Sequence, residues 1–237
     1  MKLLKKTALA AMCLVLVLGC AACGGVSADD AVAYAQGELD AAYLGIYSQE
    51  FLDLVDITED DARETHEQNI SAETDYFLGT YIGVSDVEAL PDDVRQSVED
   101  MYEEIYSHSK YTVNSATQTS EGDYNVDVTI YPIDIMQRFT AEELQAIWDE
   151  VTTELSAGID VASLSDEEYV ELYNSCDAEY VRRTVELIEG LIPELDYEEA
   201  QSAVLKLELE DNVYTAVDTD WANIDLMIID YSGAYAG

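Results

Sequence analysis

The sequence is poor in the residue types on which most chemical sites depend. It has four cysteines and two histidines in 237 residues, and only one cysteine, Cys176, lies outside the N-terminal segment. The folded part therefore has neither a disulfide framework nor a Cys-x-x-Cys pair. His66 and His108 have no second histidine or cysteine at ligand spacing, so the sequence gives no support for a zinc site.

Positive charge is also scarce. There are 10 Lys and Arg residues against 51 Asp and Glu residues, which gives a formal net charge of −41. Lys2, Lys5 and Lys6 precede the apolar run of the N-terminal segment, so the rest of the chain carries a charge of about −44. Such a field repels phosphate backbones and anionic lipid surfaces, which argues against a nucleic-acid partner. The high negative charge favours solubility, and it also attracts cations or cationic peptides.

Recognisable catalytic motifs are missing as well. The sequence contains no GxGxxG, P-loop, GxSxG or HExxH motif. Carboxylates are abundant, but no pair can be selected as general acid and base. We therefore predict no catalytic residue, no cofactor and no metal ligand, and the sequence favours a binding protein over an enzyme.

The N-terminal segment is the most informative part of the chain. The apolar run from Ala8 to Gly19 is short for a membrane-spanning helix, but its length suits a secretory signal. It ends in Val17-Leu18-Gly19-Cys20, a pattern typical of lipoprotein precursors, in which the cysteine is acylated and becomes the new N-terminus. We predict a signal peptide over 1–19, acylation of Cys20 by a fatty acid such as palmitate, and an outward-facing membrane anchor. Cys23 is the alternative acceptor.

The rest of the chain alternates between helical stripes and hairpins. Capping residues (Ser27, Thr58, Thr140 and Ser165) precede apolar residues at helical spacing, and Gly79 and Gly83 are expected to end the second helix. Alternating apolar and polar residues then predict hairpins over 111–131 and 205–217. The fold class is therefore α+β, with helices packed on antiparallel hairpins. A single cystatin-like or NTF2-like domain is the alternative.

The order of these elements repeats along the chain. Ile133-Asp134-Ile135-Met136 and Ile224-Asp225-Leu226-Met227 each follow a hairpin. This favours a degenerate duplication, with a lipidated tether over 20–27, a first α+β unit over 28–139 and a second over 140–237.

Four other features are candidate sites. Cys176 lies on an apolar stripe and is expected to be a buried structural residue, and both histidines are expected to have structural or surface roles. Asp218, Thr219, Asp220, Asn223 and Asp225 gather oxygen atoms in an expected loop without EF-hand spacing, so a calcium site is not favoured. The 17 tyrosines are expected mainly in the core, although a tyrosine-lined groove for a peptide or glycan is an alternative.

Several stretches between Glu50 and Met136 resemble Gram-positive lipoproteins that carry a domain of unknown function. The resemblance lies in Phe51–Glu59, Tyr76–Leu78, Met101–Val113 and the segment Tyr131–Met136. It implies an exported lipoprotein with an α+β body. It implies no catalytic residue.

Two functional hypotheses follow. The first is a lipid-anchored, non-catalytic binding or structural module at the cell surface, with a cationic peptide, the cell wall or a cation as partner. The second is a small-ligand or enzymatic pocket of NTF2-like or cystatin-like type. A deep pocket holding His66 or His108 beside a buried carboxylate would favour the second hypothesis, and a shallow surface with exposed tyrosines would favour the first.

Acylation of the N-terminal cysteine is directly testable. Metabolic labelling with a fatty acid, followed by mass spectrometry of the N-terminal peptide, should find Cys20 acylated and residues 1–19 removed. Acylation at Cys23 would select the alternative acceptor. An unacylated N-terminus would remove the anchor hypothesis.

Overall fold

The computed structural model describes residues 26–210 and 213–232, together with the backbone of 18–19. The helices of the described residues are α1 (Ala28–Leu39), α2 (Gln49–Val55), α3 (Glu59–Tyr76), α4 (Asp92–Ser107), α5 (Ala141–Leu155), α6 (Asp166–Leu191) and α7 (Asp218–Ile228). The strands are β1 (Leu18–Gly19), β2 (Lys110–Gln118), β3 (Tyr124–Tyr131), β4 (Gln201–Glu210) and β5 (Val213–Ala216). These elements confirm the α+β class.

The chain divides into two compact units that are interleaved in sequence. Unit 1 comprises 1–70, 106–133 and 197–230, and unit 2 comprises 71–105, 134–196 and 231–237. Each compact unit therefore contains residues from both of the predicted α+β units, 28–139 and 140–237. The duplication of 28–139 and 140–237 concerns ancestry, and it stays a prediction.

Helix starts follow the capping residues that the sequence indicates. Reciprocal bonds join each hydroxyl residue to the acid three positions later, which satisfies backbone N–H groups that have no partner within the helix. The pairs are Ser27 with Asp30, Thr58 with Asp61, Thr140 with Glu143, and Ser165 with Glu168. The predicted caps are confirmed.

Unit 1 contains one antiparallel sheet with the strand order β1-β5-β4-β3-β2. The two predicted hairpins share this sheet because β3 pairs with β4, from Tyr124 opposite Leu207 to Ile130 opposite Gln201. Two residues of β1 extend the edge by pairing with Tyr214 and Val213 of β5.

One face of the sheet is buried under helices. Along β3, Tyr124, Val126, Val128 and Ile130 are buried and alternate with more exposed residues, as expected for a sheet with one solvated face. Helix α1 lies against β2 and β3, and α7 lies against β3 and β4. The core of unit 1 therefore lies between these two helices and the sheet.

Unit 2 is helical and is built around α5 and α6. Apolar residues recur at helical spacing along α6, and they include the buried side chains of Val181, Val185 and Ile188. Arg183 of α6 joins the two helices: its guanidinium lies 2.5 Å from Glu154 and 3.5 Å from Glu150 of α5. No helix within the described ranges combines the length and the apolar character needed to cross a bilayer.

Two local predictions are wrong. Gly79 does not end the second helix, which continues as a π-helical turn over Phe77–Tyr81 and ends before Gly83, whose φ is +76°. The two Ile-Asp-x-Met segments also differ in structure. Ile224–Met227 lies inside α7, whereas Ile133 makes isolated bridges to Tyr197 and Ile229 and is followed by a 3₁₀ turn. This sequence match is therefore not a structural repeat.

Close packing at Gly37 gives a stability prediction. A Cβ atom on Gly37 of α1 would lie 2.2 Å from Cδ2 of Phe51 in α2. We expect Gly37→Ala to destabilise the protein by about 1–3 kcal/mol, because overpacking outweighs the gain of about 1 kcal/mol in helix propensity. Urea unfolding measures the change.

The matched control is Gly190→Ala in α6, where a Cβ atom would meet nothing within 4 Å. This variant should be neutral or slightly stabilised. Adding Phe51→Leu to Gly37→Ala should recover part of the loss. Equal effects of the two alanine substitutions would contradict the packing argument.

Candidate functional site

Unit 2 contains a cavity of about 160 Å³ at the α5–α6 pair. Helix α5 contributes Leu144, Gln145 and Trp148, helix α6 contributes Tyr173, Asp177 and Tyr180, and the segment Ile82–Val84 closes one side. We call this the α5–α6 cavity. Residues three and four positions apart lie on the same face of a helix, which explains why Leu144 and Trp148 of α5, and Tyr173, Asp177 and Tyr180 of α6, line the cavity together.

Three aromatic side chains are among the residues that line the cavity. The Trp148 ring lies 5.6 Å from the Tyr173 ring and 5.5 Å from the Tyr180 ring, measured between centroids. Both pairs meet edge to face, with interplanar angles of 62° and 84°. This arrangement is favourable for aromatic packing and holds the rings in fixed orientations.

Asp177 is the only lining residue with a side chain that ionises to a carboxylate. It is 4% exposed, and its carboxylate accepts a hydrogen bond from the backbone N–H of Ser85. Its second oxygen, Oδ2, is buried and has no hydrogen-bond partner in the described part of the chain. Burial raises the pKa of Asp177, since the charged form has lost its hydration.

The basic side chains of the body are engaged elsewhere. Six of the seven basic residues after position 25 contact carboxylates, and Lys110 lies over the rings of Tyr131 and Tyr197 at 4.4 and 4.9 Å. The six are Arg63, Arg95, Arg138, Arg182, Arg183 and Lys206. None of these contacts is with Asp177, so within residues 26–210 and 213–232 the cavity carboxylate has no basic partner.

The two histidines belong to unit 1 and do not line the cavity. Nδ1 of the half-buried His66 lies 3.0 Å from the carbonyl oxygen of Ala42, which indicates that this nitrogen carries a proton. The carbonyl oxygen of His108 accepts a hydrogen bond from the Tyr197 hydroxyl at 2.8 Å. The structure therefore does not place either histidine beside the buried carboxylate of the cavity.

The predicted cysteine sites have different outcomes. Cys176 is buried as expected, and burial, together with the neighbouring charge of Asp177, raises the pKa of its thiol. A raised pKa disfavours the reactive thiolate, which agrees with a structural role. Cys20 and Cys23 lie outside the described residues.

The oxygen-rich segment is not a loop. Asp218 begins α7, so Asp218, Asp220 and Asp225 lie on a helix. Asp220 accepts a hydrogen bond from the backbone N–H of Lys206, and Asp225 accepts one from the Tyr43 hydroxyl at 3.0 Å. Over the residues that the structure describes, no group of three or more His, Cys, Asp or Glu side chains is placed to hold a metal ion.

The tyrosines follow the expectation for the core only in part, because eight of the 16 that the structure describes are buried. Tyr43 and Tyr102 are buried, whereas Tyr173 is half-buried at the cavity. Sequence reasoning missed Asp177 although it placed the adjacent Cys176 on an apolar stripe. The available signal was an acid at the position four residues after Tyr173, on an otherwise apolar helix face.

A second carboxyl group with a buried oxygen lies in unit 1. Oε1 of Glu38 in α1 is buried and has no hydrogen-bond partner among the described residues, whereas the Tyr34 hydroxyl bonds to the same carboxyl group. Burial raises the pKa of Glu38 to about 8. Glu38 therefore keeps its proton at neutral pH.

Comparisons with known proteins identify no family. No protein-family description matches the chain, and no curated protein matches it. Among solved structures, the chain is similar to that of a "putative lipoprotein" (ycdA) from Bacillus subtilis subsp. subtilis str. 168. The TM-score is 0.49 and the identity is 17%, over 85% of this chain and 56% of that chain. The chain thus spans a little more than half of that protein, and this distant likeness carries no functional argument.

The raised pKa of Glu38 predicts a pH-dependent stability. Because the folded-state pKa of about 8 exceeds the ordinary value of 4.5, the stabilising contribution is complete below about pH 4.5 and is lost as the pH rises through 8. We expect Glu38→Gln to be more stable than the wild type at alkaline pH by about 1–3 kcal/mol, and nearly equal to it in acid. A pKa shift converts to about 1.4 kcal/mol of stability per pKa unit. The expected range is smaller than that conversion gives, because solvent screens the partly exposed Glu38 side chain.

Denaturant unfolding at several pH values measures the difference between the two proteins. Glu67→Gln, which changes an exposed residue of α3, is the control and should parallel the wild type. A stability difference between Glu38→Gln and the wild type that does not vary with pH would contradict the argument.

Proposed function

We propose that this chain is an exported, lipid-anchored protein on the outer face of the cell membrane that binds a small ligand in the α5–α6 cavity without catalysis. The anchoring part of the proposal is supported by the sequence, through the apolar segment that ends at Cys20, with Cys23 as the alternative. The binding part is supported by the cavity itself.

One observation carries the binding proposal. Asp177 lines a cavity that three aromatic side chains also line, and its buried Oδ2 atom has no partner in the described part of the chain. Buried polar atoms are normally hydrogen-bonded, because an unsatisfied one costs about 1–3 kcal/mol. A bound ligand that satisfies this oxygen offsets the cost.

The cavity volume limits the size of the ligand. A cavity of roughly 150 Å³ accommodates benzene, whereas sites for drug-sized ligands span about 300–1,000 Å³. The volume of about 160 Å³ therefore fits a small molecule or the end group of a larger one.

The lining residues favour binding over catalysis. Asp177 is the single carboxylate among them, and they include no histidine, lysine, cysteine or serine. General acid–base catalysis usually needs two titratable groups with different pKa values within reach of the substrate. The cavity supplies one carboxylate and two phenols, whose ordinary pKa of about 10 lies far from neutral pH, which suits recognition better than proton transfer.

Filling the mouth of the cavity tests the proposal. Gln145 is an exposed lining residue whose side-chain amide donates to Asp149, four residues later, at 2.9 Å. We expect Gln145→Trp to occlude the cavity. Binding of small amines, alcohols and carboxylic acids of up to about seven heavy atoms should weaken at least about tenfold, as measured by ligand-observed NMR and calorimetry.

Gln96→Trp is a matched control. Gln96 is also exposed on a helix of unit 2, and it donates to Asp100 at the same spacing and the same distance of 2.9 Å. This variant should bind as the wild type does. If no compound binds the wild type, or if both tryptophan variants behave alike, the α5–α6 cavity is not the binding site.

A further inference from the structure

We infer that the ligand of the α5–α6 cavity carries a protonated alkylamine, whose N–H group donates to Oδ2 of Asp177 beside the rings of Trp148, Tyr173 and Tyr180. This inference rests on the proposed function and specifies its ligand class. The sign of the charge at the cavity gives the first observation. Asp177 is the only lining residue with a carboxylate, and the seven basic residues of the body have their described contacts elsewhere.

Anionic and neutral ligands fit these observations poorly. An anion would be repelled both by Asp177 and by a chain whose formal charge is −41. A neutral ligand supplies no counter-charge, so it would leave Asp177 either protonated or carrying an uncompensated buried charge. A cation provides the missing charge, and the field of the whole chain attracts it.

The unpartnered oxygen also distinguishes between kinds of cation. Oδ2 lacks a hydrogen-bond donor, and a protonated primary amine carries three N–H groups whereas a quaternary ammonium carries none. Charge-assisted N–H bonds to carboxylates are the stronger class of hydrogen bond. The geometry therefore favours an alkylammonium ion over a tetraalkylated one.

The aromatic lining suits the same ligand. Three rings meet with Trp148 at the centre, 5.5 and 5.6 Å from its two tyrosine neighbours. Cations are attracted to aromatic faces within about 6 Å, most strongly to tryptophan, and the attraction grows when water is excluded.

The cavity holds only the end group, so the amine can have two sources. It can belong to a small free amine or to a lysine side chain of a peptide. Both present a protonated amine on a short alkyl chain, and the cavity volume of about 160 Å³ fits that group alone.

Calorimetric titration of the full-length chain in detergent tests the inference. The probes are n-butylammonium, the neutral analogue 1-butanol, and n-butyltrimethylammonium, all at high salt to screen non-specific attraction by the acidic surface. We expect n-butylammonium to bind about tenfold to a hundredfold more tightly than 1-butanol, because it adds a charged hydrogen bond. Butyltrimethylammonium should bind more weakly than n-butylammonium. Putrescine and a Gly-Lys-Gly peptide then distinguish the two sources of the amine.

Asp177→Asn is the decisive variant, with Asp166→Asn as its control. Asp177→Asn keeps the shape and removes the charge, so binding of n-butylammonium should fall about tenfold to a hundredfold while binding of 1-butanol stays within about twofold. Asp166 lies on the same helix and is exposed, so its substitution removes the same charge and should change neither affinity. Because burial raises the pKa of Asp177, the asparagine variant is expected to remain folded.

The outcomes separate this inference from the proposed function. If 1-butanol binds as tightly as n-butylammonium, or if Asp177→Asn leaves ammonium binding unchanged, the amine inference is overturned and the cavity remains a binding site. If no probe binds, both fail. Should Asp177→Asn not fold, Trp148→Leu gives a second test, because loss of the ring should weaken n-butylammonium a few-fold more than 1-butanol. Equal losses would overturn the inference.

Discussion

Each of the seven basic side chains beyond position 25 is already held by a carboxylate or by tyrosine rings. A chain with 51 acids cannot pair its buried carboxyls from so small a supply. Such a carboxyl must keep its proton, accept backbone or hydroxyl donors, or obtain a cation from outside the chain. Glu38 in unit 1 takes the first course. Asp177 in unit 2 accepts one backbone donor, and we infer that a cation from outside the chain serves its second oxygen.

The cavity around Asp177 depends on how α5 and α6 are held together. Arg183 of α6 bonds to Glu154 of α5 and to Glu179 of its own helix, at 2.5 and 2.9 Å. Trp148 of α5 then meets two tyrosines of α6 edge to face. Ion pairs at the surface and aromatic packing below them therefore determine the separation at which the cavity forms.

Local structure was predictable where one short stretch contains the whole signal. The capping pairs at Ser27, Thr58, Thr140 and Ser165 and the alternation in β3 are of this kind. Helix α7 was missed because its N-cap is Val217, which has no side-chain cap, and because the acids after it resemble a loop. Acids in a first turn are in fact favourable, since they face the positive end of the helix dipole.

The sequence by itself determined the α+β class, the acidic character of the chain and the export signal hypothesis, because composition and periodicity are properties of neighbouring residues. Only the tertiary structure decided that both hairpins join one sheet, since strands as far apart as β3 and β4 pair through backbone groups that all sequences share. It alone also distinguished Asp177 from the other acids. The burial and the missing partner of one carboxylate depend on residues 29 to 92 positions away, from Ser85 to Trp148, which no local pattern relates.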